Sequence, residues 1–449
     1  MIALTTVRAR QHLRAASLCL SCLVGSVSTA IAEPAGSAPA AEARSVSPSS
    51  ESAHVESHRE WTLELAEKTA LERAPRVQRA VASRETAYAY RTYGQLPRAG
   101  NPQVNLRAMI GRPDAPAATY SVMLGIPFDV MGKRRAWRNE ASFITEEADA
   151  RLLAVQNEVR AEARVAYVEV ALAIAARTVA EQSADTAREL LERVQARLDA
   201  NAATALDVAL SESQYAEAAA DLARAQRTLV EAQNAFRQAL DLSHDTDIRV
   251  SALSGPTLPA GLTIENAVVR ARDKRMEAAA WASASRRWRS ADRRLRAEAM
   301  APVTAALEGE AQGNNNTQKS VGAGVNFELP FVMTNQAERA VARGEASAAA
   351  VEHELASHGI DRDASSSYRR LEAALAELAA IEERALPAAE RTLQMVHTML
   401  DAGVVDYFRL LAARSSAFQL RSRRVEALRE AWLCRIALER AMGGWKETP

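Results

Sequence analysis

The chain has 449 residues, with 56 Lys and Arg against 56 Asp and Glu, a formal net charge of +0. That balance offers no basic surface for a nucleic-acid partner. Aromatic residues make up only 5% of a sequence that is 48% hydrophobic and rich in alanine, which points to long helices in thin, close contact rather than to one thick globular core.

Residues 1–32 read as a signal peptide. Arg8, Arg10 and Arg14 form a basic flank, Ala15 to Ala30 is mostly apolar or small, and Ala30-Ile31-Ala32 suits a small-x-small cleavage site. Removing this segment leaves 53 basic residues (56 less three) against 56 acidic ones, a charge of −3. Cys19 and Cys22 leave with it, so only Cys434 remains and no internal disulfide is expected. Residues 33–58 are rich in Ala, Ser, Pro and Glu and read as a disordered leader.

A first repeat spans residues 59–242. A helical stretch from Trp61 to Tyr93 contains Pro75, and Pro97, Gly100 and Pro102 break it. Val104, Leu106, Ala108 and Ile110 then alternate with polar or long side chains. So do Tyr120, Val122, Leu124, Ile126 and Phe128. Together they predict a hairpin over 102–128, its strands about the 9–11 residues that cross a bilayer at a tilt. Arg112 to Ala118 would be its outer loop.

A helix is predicted over 131–198, from Met131-Gly132-Lys133-Arg134-Arg135 onward. Leu152, Val155, Val159, Val165, Val168, Leu172, Leu190, Val194 and Leu198 keep three- and four-residue spacing along it. At 1.5 Å per residue it is roughly 100 Å long, so other long helices must lie beside it. Asn201 suits a left-handed helix cap, and a return helix covers 206–240.

Residues 243–262 form a linker, and the plan restarts over 263–444. A hairpin is expected over 302–329 with Gly309 to Lys319 as its loop, a long helix over 334–400 kinked at Pro387, a turn at Gly403, a return helix over 404–442, and a tail at 445–449. The landmarks keep step: Thr62 to Thr263 is 201 residues, Pro102 to Pro302 is 200, Pro127 to Pro330 is 203, and Leu198 to Leu400 is 202. Such constancy marks an internal duplication.

Four membrane strands leave two open edges, which lipid does not tolerate, and closed single-chain barrels start at about eight strands. Several chains must therefore close one barrel. One strand face is apolar, while the other carries Asn105, Arg107, Asn326 and Glu328, suited to a wet lumen.

The duplicated strand–strand–long-helix plan, Ile126-Pro127-Phe128 followed by Gly132-Lys133-Arg134-Arg135, and the tip segments ending in Asp207 and spanning Gly403 to Ala413 resemble the TolC-like outer-membrane efflux proteins. The likeness runs from Trp61 to Gly444. It implies a mainly α fold with a small β part, in which a homotrimer builds a twelve-stranded outer-membrane β-barrel continued by a periplasmic α-helical barrel.

The expected function is that of an exit duct. A periplasmic adaptor and an inner-membrane transporter, RND type first, would pass substrate into it. The Gly-Lys-Arg after the second strand looks like the metal-cation branch. A type I protein secretion duct of the same fold, or a secreted coiled-coil structural protein, are the alternatives.

The resemblance also implies closure at the periplasmic tips. Asp207 matches a tip aspartate of the family. In the second repeat, Arg409 and Ala412 stand where well-known members carry ring aspartates, with Asp401 and Asp406 nearby. Asp207, Arg409, Asp401 and Asp406 are thus gate candidates, and the turns at Asn201 and Gly403 are candidates for adaptor docking. Asp207 and Arg409, each six residues past its turn, are expected to face each other across neighbouring hairpins. Solvated caps are the plainer account of the same residues.

No catalytic, cofactor or metal site is expected. His353 and His358 lie five residues apart, off a common helical face, and no phosphate loop, nucleophile elbow or paired-cysteine motif occurs.

Overall fold

The computed structural model describes residues 60–94, 100–109, 118–130, 132–201, 203–251, 253–300, 303–313, 318–326, 334–402, 404–405 and 407–444. The expected signal peptide, leader and tail, Arg112 to Ala117 of the first loop, and Glu328 and Pro330 lie outside these residues.

The first repeat comprises β1 (Glu60–Trp61), α1 (Leu63–Arg73), α2 (Pro75–Tyr93), β2 (Gln103–Met109), β3 (Ala118–Phe128), α3 (Lys133–Asp199) and α4 (Ala205–Leu240). After β4 (Arg249–Val250) the second comprises α5 (Ile264–Lys274), α6 (Glu277–Glu298), β5 (Val303–Gly313), β6 (Gln318–Asn326), α7 (Gln336–Ala380), a π-helical turn (Ile381–Ala385), α8 (Leu386–Asp401) and α9 (Tyr407–Ala441).

The duplication extends to backbone detail. Thr62 and Thr263 cap α1 and α5 alike, each hydroxyl accepting the N–H three residues on, at 3.3 and 3.2 Å. Gly132 (φ 73°) and Asn335 (φ 53°) start the long helices from the left-handed region. Asp241 (φ 52°) and Gly443 (φ 76°) end the return helices there too. A Cβ on Gly443 would stand 2.6 Å from that of Lys274, so glycine is required by close approach as well as by φ.

The strands form one antiparallel sheet in the order β2-β3-β5-β6, so the two hairpins join through β3 and β5. Its register pairs Leu106 with Val122, Val122 with Gly309, and Gly309 with Val321. Alternation then puts Val104, Leu106, Val122, Leu124, Ile126, Leu307, Val321 and Val325 on one face. Leu106 is 69% and Val321 87% exposed. A face this apolar with nothing on it calls for a nonaqueous neighbour. No described helix is long and apolar enough to cross a membrane.

Below the sheet, α2 packs on α3, α3 on α6, and α6 on α7, the same order as the strands they adjoin. The return helices pack on the lower parts, α4 on α3 and α9 on both α3 and α7. Beside the middle of α3, a core gathers Trp61, Ala66, Ala70, Tyr167, Val170, Phe236 and Leu240, with the Trp61 and Phe236 rings in a T-shaped pair 5.5 Å between centres. A buried ionic knot lies near it. Arg164 binds Glu67 of α1 and Glu439 of α9, and Arg435 binds Glu439 at 3.1 Å and the Thr257 carbonyl at 2.6 Å.

Within the linker, Arg249–Val250 pairs in parallel with Glu60–Trp61. One expectation needs correction. The second loop is shorter than Gly309 to Lys319: Gly309 to Gly313 continue β5, and Gln318 and Lys319 begin β6. The eleven residues of β3 supply ladder partners down to Ala118, which hold this glycine-containing run extended. The break in the second long helix is a π turn over Ile381–Ala385, just before Pro387. Proline has no N–H to give the carbonyl four residues earlier, and the wider turn takes up that misfit.

Candidate functional site

The far ends of the long helices hold the candidate site. In the first repeat Asn201 takes φ 58°, as a left-handed cap. Thr204 and Asp207 then form a complete capping box for α4. The Thr204 N–H and hydroxyl donate to Asp207 Oδ2 at 2.8 and 2.7 Å, and the Asp207 N–H donates back to Thr204 Oγ1 at 3.2 Å. These bonds, the Thr204 hydroxyl foremost, hold the Asp207 carboxyl below the usual carboxylate range. Its carboxylate is thus engaged in starting its own helix.

In the second repeat, Asp401 is the last residue of α8 and Arg409 lies exposed in the first turn of α9. Gly403 and Asp406 lie outside the described residues.

The two tips meet through an apolar cluster in which the sequence reading singles out only Leu190 and Leu400. Leu190 of α3 and Leu410 and Leu411 of α9 are buried together, with Leu210, Leu393, Val396, Leu400 and Tyr407 around them. Burial pushes the Tyr407 phenol above its usual range. Beside this cluster, Arg414 reaches from α9 to the Thr186 carbonyl of α3 at 3.4 Å and to His397 Nε2 of α8 at 3.3 Å. Its guanidinium is lowered from its ordinary pKa, chiefly by burial. The apolar spacing of α8 and α9 was the available signal for the leucines; nothing in the sequence pairs Arg414 with His397.

The polar face of the sheet is the second part of the site. Arg107 stands opposite Ser121, Ser121 opposite Glu310, and Glu310 opposite Ser320. One step lower, Asn105, Met123, Glu308 and Gly322 form the next row. Glu310 falls within the loop expected from the sequence; its place in β5 puts it on the polar face beside the expected Asn105, Arg107 and Asn326.

His353 turns Nδ1 toward the Ala278 carbonyl at 2.9 Å, while His358 sits exposed beside Glu354 at 4.0 Å. Among the described residues no cluster of three His, Cys, Asp or Glu side chains is placed to hold a metal ion.

Comparison with known proteins agrees with this architecture. The chain is 24% identical over 352 residues to the cobalt-zinc-cadmium resistance protein CzcC of Cupriavidus metallidurans, covering 76% of this chain and 81% of that one. The fold matches the outer membrane protein VceC of Vibrio cholerae with a TM-score of 0.67 at 16% identity, over 85% of this chain and 96% of that one. It matches the channel-forming CusC with a TM-score of 0.65 at 15% identity, over 85% and 92%. The family model described as "Outer membrane efflux protein" matches residues 67–241 and 269–444, one match to each repeat. With both repeats matched and the sheet and helix order in place, the chain belongs to the outer membrane efflux protein family.

Proposed function

We propose that three copies of this chain close a twelve-stranded barrel in the outer membrane and conduct substrate passively outward from a tripartite pump. The observation that carries this is the sheet of four strands, bare and apolar on one face, polar on the other, with β2 and β6 as open edges. Backbone groups at such edges need partners in lipid, and a closed ring of identical chains supplies them. The helices continue the ring into the periplasm. A periplasmic adaptor docks at the turns around Asn201 and Gly403, and an RND-type inner-membrane transporter drives the export. The tips form the gate, with Asp207, Arg409, Asp401 and Asp406 as its candidate charged residues.

The similarity to CzcC supports divalent metal cations as the cargo, and the Glu308 and Glu310 carboxylates on the polar face suit cations in transit. Mass measurement in mild detergent is expected to give three chains, and planar bilayers are expected to show conductance. Deleting the gene is expected to sensitise cells to zinc, cobalt or cadmium. A stable monomer would refute the duct; unchanged metal tolerance with an intact conducting trimer would refute only the cargo.

A further inference from the structure

Helix α6 carries six arginines between Arg286 and Arg296. Three have acidic partners: Arg286 with Glu146, Arg287 with Glu147, and Arg294 with Glu140 and Glu298. Arg289, Arg293 and Arg296 are exposed, and among the described residues they make no ion pair. With Arg286 they recur at steps of three, four and three, which lines them up along one helical face. Arg134, Arg135 and Arg138, at the start of α3, are likewise exposed and without an ion pair among the described residues.

Three features identify what this stripe faces. First, α6 lies inside the helix layer, tied to α3 by Arg294 and Glu140 and to α7 by the Ser285 hydroxyl on the Ala346 carbonyl at 3.0 Å. Neighbouring copies would meet the layer at its edge helices, α2 and α7, and leave the stripe uncovered. Second, the opposite face of α6 is crowded, with Ala284 and Ala291 each 2% exposed. In the barrel proposed above, a crowded face is the concave one, which leaves the arginines on the convex side with the apolar face of the sheet. Third, Arg296 precedes the first residue of β5, Val303, by seven residues and Arg289 by fourteen. At 1.5 Å per helical residue these charges lie about 3 to 14 Å below the end of α6 at Glu298. Exposed Tyr93 and Phe128 mark the same border, as aromatic residues do at membrane interfaces.

We propose that Arg289, Arg293 and Arg296, with Arg134, Arg135 and Arg138, form a collar that binds anionic phospholipid headgroups of the periplasmic leaflet of the outer membrane. This rests on the barrel reading above. Guanidinium groups suit the task because they meet phosphate oxygens in pairs, and a row of cations beside an anionic surface adds its attractions.

The test uses the full-length protein in mild detergent, with retention of added phosphatidylglycerol or phosphatidylcholine read by native mass spectrometry. The parent protein is expected to retain phosphatidylglycerol preferentially, and added salt is expected to weaken that retention. The triple variant Arg289→Gln, Arg293→Gln, Arg296→Gln is expected to lose phosphatidylglycerol by at least about tenfold with phosphatidylcholine unchanged. The control Arg188→Gln, Arg224→Gln, Arg227→Gln, far down the helices, is expected to behave as the parent.

Equal phosphatidylglycerol retention by the parent and the triple variant overturns the collar, as does equal retention of both lipids by the parent. A triple variant that shifts the ion selectivity of the channel while keeping its lipid overturns it too, by placing the stripe in the lumen. A parent that is neither trimeric nor conducting fails the barrel reading instead, and its mass and conductance separate the two failures.

Discussion

Arg414 and His397 meet across α9 and α8 with the guanidinium 3.3 Å from Nε2 of the ring. A guanidinium has donors only, so Nε2 accepts. The same guanidinium holds the Thr186 carbonyl of α3, so one side chain ties the two hairpins together near their tips. Arg193 opposes its charge, while Tyr407 and Glu189 support it.

Loss of the acceptor is expected to loosen this tie. His397→Ala removes Nε2 and leaves Arg414, beside Arg193, with the Thr186 carbonyl, so open fraction in planar bilayers is expected to rise. His397→Gln keeps an amide oxygen as acceptor, and its channel is expected to stay close to the parent. An alanine variant that opens no more than its parent would clear His397 of this role.

Asp207 is expected to act through its cap. Thr204→Ala and Asp207→Ala each remove the capping box, so the two are expected to raise conductance alike. The folded-state pKa of Asp207 is depressed, so the cap is fully present above the ordinary carboxylate range and is lost as pH falls through that lowered value. If Asp207→Ala opens the channel while Thr204→Ala leaves it shut, the carboxylate acts on a partner beyond its own helix. Arg409→Ala then identifies that partner: it matches Asp207→Ala if the two residues face each other, and the double variant adds little.

The ionic knot is expected to be costly to break. Arg164 stands between Glu67 and Glu439, its side chain 18% exposed against 15% and 9% for theirs. Burial alone would lower its pKa, but the two carboxylates outweigh that and raise it. Arg164→Met removes the cation the two carboxylates share and leaves Glu67 to Arg160 and Glu439 to Arg435, so loss of about 1–3 kcal/mol is expected. Denaturant unfolding of the detergent-solubilised protein checks this; a loss below about 1 kcal/mol, the scale of exposed pairs, would show that the knot is solvent-screened.

The two faces of the sheet are expected to tolerate charge differently. Val122 and Ser121 are neighbours on β3 and point to opposite faces. Val122→Arg places a guanidinium on the lipid side at a cost of about 2–4 kcal/mol at mid-depth, so less protein is expected in the outer membrane. Ser121→Arg is expected to insert normally and to lower cation selectivity, since Ser121 pairs with Glu310. Equal insertion of both variants would mean that the apolar face is not turned to lipid.

Much of this was legible in the sequence because breakers and caps are local. Thr62 and Thr263, Gly132, and the prolines before each hairpin act within a few residues, so the repeat and its boundaries could be read in order. Strand faces followed from alternation. What escaped depends on contacts distant in sequence. The pairing of Trp61 with Val250 joins two-residue strands too short to leave a pattern. Gly309 to Gly313 has the composition of a turn, and only the length of β3 beside it makes it strand. Asp207 was read as a gate by likeness, although a threonine three residues before an aspartate at a helix start is itself a capping signature.

The open edges of the sheet bear on how the channel is made. In the proposed trimer, a lone chain entering the bilayer would carry the unpaired backbone of β2 and β6 into hydrocarbon, so insertion would wait for, or accompany, the meeting of three chains. Quality control therefore falls on the assembly, before the membrane is crossed. A chain sound in its strands but faulty at its tips would still be taken into the ring, and would spoil the two good copies beside it. Such alleles are expected to be dominant, whereas alleles that disrupt β2 or β6 drop out of assembly and stay recessive.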